Sequence, residues 1–308
     1  MALGRTRTVA LDGVTARPVT VEANIGPGLP GIHLVGLGDT AVSESKDRVR
    51  TAVANSRLPW PRTKIIVSMS PASLRKSGSH FDLPTALSVL AAGAPAPRLR
   101  DAVVVGELGL DGSVREVPGV LPALLAARTH GFSHAVIPPG NADEATLIEG
   151  LTVLTAESLH DAWAWATGDG ELAVARGGGG VDKRSVPDFA DLAGQPEARF
   201  AAEVAAAGGH HMLLLGPPGS GKSMIAARLP GILPPLTPAQ SLEATAVHSV
   251  AGNGQVMRRA PFIDPHHSVT RAALLGGGPG IARPGAVSLA HHGVLFLDEV
   301  SEVPAAIL

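Results

Sequence analysis

Apolar and polar positions alternate along the first 165 residues in a pattern typical of strands interleaved with helices. Short alternating or β-branched runs predict strands at 8–10, 19–23, 32–35, 64–69, 102–105 and 135–137. Longer periodic segments predict helices at 43–56, 82–90, 120–128 and 158–166. Glycine and proline separate most of these segments. The order predicts a domain over 1–167 in which strands and helices alternate.

The character of the chain changes after the last of these helices. Residues 168–187 include four consecutive glycines at 177–180 and have no apolar period, a pattern typical of a flexible linker. Strand-like and helix-like patterns resume over 188–308, and we find no internal repeat. The sequence therefore predicts two domains, 1–167 and 188–308, joined by a linker at 168–187.

The composition of the chain excludes several classes of protein and of chemical site. The chain is 45% hydrophobic and 17% charged with a formal net charge of −2, so neither disorder nor a global basic field is indicated. It contains no cysteine, which excludes disulfides, thiolate zinc sites, iron–sulfur clusters and cysteine nucleophiles. It shows no signal-peptide pattern and no apolar run of about 18 residues, so we expect a cytoplasmic protein.

The strongest chemical motif follows an apolar run at 211–215, which predicts a buried parallel strand. The next eight residues match G-x-x-x-x-G-K-[ST], and a helix is predicted at 224–229. A strand, a loop and a helix in this order are the context that a P-loop requires. The motif consists of Gly216, Pro217, Pro218, Gly219, Ser220, Gly221, Lys222 and Ser223, with Met224 beginning the helix.

The residue types in this loop predict binding of ATP with Mg²⁺. Glycines let successive backbone N–H groups turn toward phosphate oxygens without a clash from Cβ atoms. We expect Lys222 to reach the β- and γ-phosphates and the Ser223 hydroxyl to ligate Mg²⁺.

A second acidic element lies downstream of the P-loop. The apolar run 293–297 predicts a buried strand and ends in Asp298 and Glu299. This is the Walker B arrangement, in which Asp298 holds Mg²⁺ and Glu299 polarises the attacking water. The candidate catalytic residues are therefore Glu299 and Lys222, and the candidate metal ligands are Ser223 and Asp298.

Several further segments, taken with the P-loop and the Walker B run, resemble the YifB/ComM family of magnesium-chelatase-like AAA+ ATPases. They lie at 191–195, 205–211, 229–236, 263–268, 276–278 and 283–300. The resemblance covers essentially the whole chain. It implies an α/β protein with an N-terminal ribosomal-protein-S5 domain-2-like fold, as in Lon proteases. A parallel-sheet AAA+ domain follows it, incomplete at its C-terminal end.

The same resemblance implies a hexameric ring that uses ATP to act on DNA, as in branch migration during recombination or DNA uptake. It places Gln195 near the adenine and gives residues 258–283 the role of loops facing the pore of the ring. Arg271 and Arg283 are then candidates to contact the DNA backbone.

Residues 102–139 resemble the proteolytic domain of Lon, whose serine nucleophile is activated by a lysine. Where that family has its lysine, this chain has apolar residues around Leu121, so we expect no peptidase activity. Ser79 and His80 form the one conceivable hydrolytic pair. Basic residues of this domain could form a DNA-binding face, although scattered charges of this kind are usually solvated. They are Lys46, Arg48, Arg50, Arg62, Lys64, Arg75 and Lys76.

Three adjacent histidine pairs occur, at 210–211, 266–267 and 291–292. Adjacent side chains point apart on a helix or strand, so we expect such a pair not to chelate one metal ion. For His266 and His267, which follow Pro265, substrate contact or packing is favoured.

The chain stops at Leu308, nine residues after Glu299. A full AAA+ module continues with a sensor, an arginine finger and a lid, so we expect a truncated domain with weak or absent turnover. Three alternatives stay open: a magnesium-chelatase-type subunit for metal insertion, a Lon-like ATP-dependent peptidase, and an ATP-binding scaffold without hydrolysis.

Overall fold

The computed structural model describes residues 2–36, 40–178, 187–278 and 282–303. The chain divides into two compact units. The first comprises Met1–Gly179 together with His248–Gln255, and the second comprises Gly180–Val247 together with Val256–Leu308. The short segment His248–Gln255 therefore belongs to the first unit although it lies far along the chain.

The first unit is built on a mixed eight-stranded sheet of order β10-β9-β8-β5-β1-β2-β4-β3. Its strands are β1 (Ala2–Asp12), β2 (Thr15–Gly26), β3 (Gly31–Val35), β4 (Lys64–Ser70), β5 (Ala102–Val104), β8 (His134–Ile137), β9 (Thr152–Thr155) and β10 (Ala173–Val174). A separate two-stranded ribbon pairs β6 (Glu107–Leu108) with β7 (Val114–Arg115). The helices are α1 (Thr40–Asn55), α2 (Asp82–Gly93), α3 (Val120–Thr129), α4 (Ala142–Ala145) and α5 (Leu159–Thr167).

All the strands and helices predicted for this domain are present, and the first two strands are longer than predicted. The β1–β2 hairpin pairs Ala2 with Ile25 at one end and Asp12 with Thr15 at the other. Cross-strand pairing extends both strands through polar flanks, since Arg5 Nε lies 2.6 Å from Glu22 Oε1. The hydrophobic period of the sequence does not reveal these polar ends of the two strands.

The core of the first unit lies between the sheet and its helices. Alternate residues of β4, Ile65, Val67 and Met69, are buried, while the parallel strand β5 is buried at every position. Helix α2 approaches β1 so closely that a Cβ atom on Gly4 would lie 2.0 Å from the Ser88 carbonyl oxygen. Glycine at this position permits the contact between helix and sheet.

Part of the segment predicted as a linker is instead the edge strand β10, which pairs antiparallel with β9. The Gly178 N–H donates to Asp143 Oδ1 over 2.7 Å. A two-residue edge strand carries no hydrophobic period of its own, which is why the sequence pattern missed it. Residues 179–186 of the predicted linker lie outside the described residues.

The second unit contains short elements around one small core. Its helices are α6 (Pro196–Gly208), α7 (Lys222–Ala226), α8 (Leu229–Ile232), α9 (Pro238–Val250, whose last residues belong to the first unit), α10 (Arg271–Leu275) and α11 (Ala286–Leu289). Its strands are β11 (Phe262–Ile263), β12 (Gly276–Gly277), β13 (Arg283–Pro284) and β14 (Val294–Leu295). Strands β11 and β14 pair in parallel, and β12 pairs antiparallel with β13. An α/β N-terminal domain followed by a P-loop-type domain is confirmed.

The strand predicted at 211–215 does not form. Met212 and Leu214 pack against the cluster of Phe189, Leu192, Ala202 and Ile225, while Leu213 and Leu215 are 72% and 84% exposed. A parallel strand needs a hydrogen-bonded neighbour and cover on both faces. Within the described ranges, no strand pairs with this run.

No helix in the described part of the chain is long and apolar enough to cross a membrane.

Candidate functional site

The loop of residues 216–223 connects the apolar run 211–215 to helix α7. Gly219 and Gly221 have φ angles of +78° and +83°, a backbone conformation that side-chain-bearing residues rarely adopt. A Cβ atom on Gly221 would also lie 3.1 Å from Gln195 Nε2. The conformation of the loop therefore requires glycine at these motif positions.

Lys222 folds back over this loop. Its Nζ donates to the carbonyl oxygens of Gly216 over 2.9 Å and of Pro217 over 3.0 Å. These two hydrogen bonds hold the ammonium group against the backbone of the loop. A cation at this place is suited to phosphate oxygens.

Ser223, directly after Lys222, reaches the acidic residues that follow β14. The Ser223 hydroxyl donates to Asp298 Oδ2 over 2.9 Å. The other carboxylate oxygen of Asp298 accepts from the Glu299 N–H over 3.0 Å. The structure thus brings the hydroxyl and the carboxylate predicted as Mg²⁺ ligands into direct contact.

The residues of this loop fit a magnesium nucleotide. The hydroxyl of Ser220 is the one buried P-loop side-chain oxygen without a hydrogen-bond partner among the described residues. A Cβ atom on Gly216 would come within 2.8 Å of this hydroxyl. An unpaired donor in a glycine cradle, beside a lysine and a Ser–Asp pair, has the chemistry of a phosphate and Mg²⁺ site.

Gln195 lies beside the loop. It precedes helix α6 with a φ angle of +55°, and its Nε2 donates to the Ser220 carbonyl oxygen. The structure therefore places Gln195 against the P-loop.

Glu299 contacts a histidine that sequence reasoning had not connected with it. His267 Nδ1 lies 3.3 Å from Glu299 Oε2. The contact follows from the parallel pairing of β11 with β14, because chain segments after parallel strands emerge at the same edge. The contact between His267 and Glu299 could have been predicted by pairing the apolar residues before His267 with the Walker B strand.

The remaining site residues are at the surface. Pro217, Pro218 and Gly219 are exposed, and Met224 is 49% exposed. Arg271 begins α10, Arg283 lies in β13, and both side chains are exposed. They are accessible to a ligand but lie in separate elements.

In the first unit, His80 of the candidate hydrolytic pair Ser79 and His80 makes a structural contact. His80 is buried and its Nε2 lies 3.0 Å from the Val9 carbonyl oxygen. Leu121, where the Lon pattern has its lysine, is fully buried in α3.

Two of the seven basic residues considered for a DNA face have structural partners. Arg48 binds the fully buried Asp82, with Nε 2.8 Å from Oδ2. Burial raises the pKa of Asp82 to about 6, although the hydrogen bond from Arg48 opposes this shift. Lys76 is also fully buried; its Nζ donates to the Pro71 carbonyl oxygen, and burial lowers its pKa. Lys76 is therefore not available to DNA, and the Arg48 guanidinium is engaged by Asp82.

A buried carboxylate in the first unit was missed by the sequence analysis. Glu144 is fully buried and accepts hydrogen bonds from Leu121 N over 2.8 Å, from Asn141 Nδ2 over 2.9 Å and from the Ser249 hydroxyl. Burial raises the pKa of Glu144. The contact anchors His248–Gln255 in the first unit, and no local sequence pattern reveals a pairing across 105 residues.

The expectation that adjacent histidines point apart is wrong for the pair at 291–292. Both rings face one carboxylate oxygen of Glu243. The physical reason is the backbone of His292, whose φ angle of +58° belongs to neither a helix nor a strand.

Comparison with known families identifies related sequences in both units. A family model described as magnesium chelatase, subunit ChlI, matches residues 188–308. A second model, described as subunit ChlI of Mg-chelatase, matches residues 21–141.

Three relatives match almost the whole chain. An uncharacterized protein of Mycobacterium tuberculosis is 50% identical over 314 residues, covering 100% of this chain and 62% of the relative. Uncharacterized protein YifB of Escherichia coli is 41% identical over 307 residues, covering 98% of this chain and 60% of the relative. Competence protein ComM of Haemophilus influenzae is 39% identical over 318 residues, covering 100% and 62%. The chain thus spans about three fifths of the length of these relatives.

Proposed function

The chain belongs to the YifB/ComM family of magnesium-chelatase-like proteins. We propose that it binds ATP with Mg²⁺ and hydrolyses the ATP to drive a motor on DNA. The observation that carries the proposal is the 2.9 Å hydrogen bond from the Ser223 hydroxyl to Asp298 Oδ2. It joins the P-loop to the acidic residues that follow β14, and these are the two parts that an ATP site requires.

Each residue of the site has a distinct part in this proposal. The glycine loop presents its N–H groups to the phosphates, and the Ser220 hydroxyl supplies a further donor. Lys222 exchanges the carbonyl oxygens of Gly216 and Pro217 for phosphate oxygens. Ser223 and Asp298 would hold Mg²⁺, which neutralises charge on the phosphates when bound.

Glu299 is proposed as the residue that orients and polarises the attacking water. Glu299 directly follows Asp298, and its Oε2 lies 3.3 Å from His267 Nδ1. Leaving that contact frees an Oε atom to accept a proton from water.

DNA as the substrate and a hexameric ring as the working assembly are both proposals. The name competence protein, which ComM carries, supports a role connected with DNA. The exposed side chains of Arg271 and Arg283 are available to contact phosphates. The net charge of −2 requires any such contact to be a local one.

A test combines nucleotide binding with turnover. The chain and its Lys222→Ala variant are titrated with a fluorescent ATP analogue and Mg²⁺, and ATP hydrolysis is then measured with single-stranded, duplex and four-way-junction DNA at several salt concentrations. We expect this chain to bind the nucleotide and Lys222→Ala to abolish that binding. In a chain of the relatives' full length we expect a DNA-dependent, salt-sensitive rise in hydrolysis. Binding unaffected by Lys222→Ala would overturn the site, whereas normal binding with no response to DNA would overturn only the motor.

A second candidate function is metal insertion into a porphyrin. The observation favouring it is that ChlI subunit models match both 21–141 and 188–308. ATP hydrolysis that responds to a porphyrin and Mg²⁺, and not to DNA, would support this function over the DNA motor.

A further inference from the structure

A cluster of metal-binding side chains lies outside the nucleotide site, on the second unit. Glu243 projects from helix α9, and His291 and His292 lie in the turn between α11 and β14. His292 Nε2 is 2.6 Å and His291 Nε2 is 3.2 Å from the same oxygen, Glu243 Oε2. One ligand atom from each of the three side chains lies within 4.8 Å of the others.

The backbone of the turn explains how two adjacent histidines face one point. His292 has a φ angle of +58°, a left-handed conformation that residues with a Cβ atom rarely adopt. The centroids of the two imidazole rings lie 4.0 Å apart, and both rings reach Glu243 Oε2. A strained backbone that converges ligating atoms is typical of functional sites.

The chemistry of the three ligands selects a particular class of ion. Two imidazole nitrogens and one carboxylate oxygen are a common donor set for Zn²⁺ and related divalent transition metals, whereas Mg²⁺ prefers oxygen ligands. Zinc bonds of about 2.0–2.1 Å at tetrahedral angles separate neighbouring ligand atoms by about 3.3 Å. The 3.2 Å contact already meets that spacing, and the 2.6 Å contact has to open slightly.

The side chains have room for this adjustment. Glu243 and His291 are 58% and 48% exposed, and His292 is 23% exposed. Solvent can therefore enter and complete the coordination sphere, as it does at zinc sites with three protein ligands.

We propose that Glu243, His291 and His292 form a binding site for a divalent transition-metal ion of the Zn²⁺ class. The ion ties helix α9 to the turn that leads into β14, the strand that precedes Asp298 and Glu299. The site stands apart from the ATP proposal, because its ligands come from other residues and it needs no nucleotide.

The test uses the whole chain without an affinity tag, stripped of metal with a chelator and free of nucleotide. Co²⁺ serves as a spectroscopic probe, and Zn²⁺ is then titrated by calorimetry. We expect one equivalent of Co²⁺ to produce a visible absorption band that Zn²⁺ removes. Zn²⁺ is also expected to raise the melting temperature, because it binds the folded state.

Three variants identify the ligands. Glu243→Gln, His291→Asn and His292→Asn should each weaken Zn²⁺ binding at least about tenfold. Asparagine tolerates the left-handed backbone, so His292→Asn removes the ligand and keeps the turn. The matched control is His210→Asn/His211→Asn, an exposed adjacent pair outside the cluster, which should bind as the unaltered chain does.

Two results would overturn the proposal. One is the absence of both a Co²⁺ band and Zn²⁺ heat with the unaltered chain, which would make the cluster an ion pair only. The other is unchanged binding by the variant that combines all three substitutions, which would place the ion elsewhere. Circular dichroism of each variant confirms that folding is retained, and neither result bears on ATP binding at Lys222.

Discussion

The Ser223 hydroxyl donates a 2.9 Å hydrogen bond to Asp298 Oδ2, across 75 residues of chain. The two side chains come from different elements, α7 and the segment after β14. Their contact places the P-loop and the acidic pair in one site before any ligand is considered.

The first prediction concerns this pair. Ser223→Ala and Asp298→Asn should each reduce the affinity for ATP in the presence of Mg²⁺ at least about tenfold, with little change when Mg²⁺ is replaced by EDTA. The double variant should lose less than the sum of the two single losses in binding free energy, because both residues act on one ion. Titration of a fluorescent ATP analogue measures all four proteins. Equal losses with and without Mg²⁺ would contradict the assignment.

The second prediction separates binding from hydrolysis at Glu299. Glu299→Gln keeps the size of the side chain and removes the charge that accepts a proton from water. We expect nucleotide affinity within about twofold of the unaltered chain. In a chain of the relatives' full length we expect hydrolysis at least about a hundredfold slower than without the substitution. Phosphate release under saturating ATP measures the rate. His267→Asn is the companion variant, and hydrolysis should persist in it because Glu299 keeps its carboxylate.

The third prediction concerns Arg48 and the buried Asp82. Arg48→Met leaves a buried carboxylate without its cation, which should destabilise the first unit by about 3–5 kcal/mol at pH 8. At pH 5 the loss should be smaller, because Asp82 then takes up a proton and is buried neutral. Urea unfolding at the two pH values measures the difference. The double variant Arg48→Met/Asp82→Asn has neither charge and should show no such pH dependence.

The same pKa sets a pH trend in the unaltered chain. Burial raises the pKa of Asp82 to about 6 from its ordinary 3.8, so the folded state holds this proton more tightly than the unfolded state. The contribution of Asp82 to the free energy of unfolding is therefore full below about pH 3.8 and declines as the pH rises through about 6. Asp82→Asn should remove this trend.

The fourth prediction concerns Ser249, which donates to the buried Glu144. Ser249→Ala removes one of three donors to that carboxylate and should cost about 1–3 kcal/mol of unfolding free energy. The cost should be larger at pH 8 than at pH 5, because the lost hydrogen bond favours the charged form of Glu144. Urea unfolding at both pH values provides the test. Ser301→Ala, at an exposed serine, should have no effect.

Much of the first unit could be predicted because its elements carry their own periodicity. The alternation in β4 and the apolar runs of α2 and β5 each predict an element from local residues. The edge strand β10 could not be predicted, since two residues show no period and their pairing with β9 depends on the completed sheet. The strand predicted at 211–215 failed for the same reason, because a strand requires a partner as well as an apolar run.

The P-loop of the candidate site could also be predicted from the sequence. Residues from Gly216 to Ser223 could be recognised from their order in the chain, since phosphate binding requires glycines, a lysine and a hydroxyl at fixed spacing. Their roles in ATP binding stay predictions until nucleotide binding is measured.

The sequence by itself determined the family, the α/β class of the first unit and the P-loop, because each is carried by short patterns of residues that can be recognised along the chain. Only the tertiary structure decided which distant side chains meet: Glu299 with His267, Glu144 with Ser249, and Glu243 with both His291 and His292. The physical reason is that such contacts depend on strand pairing, helix packing and single backbone angles such as that of His292. None of these is recorded in the spacing of residues along the chain.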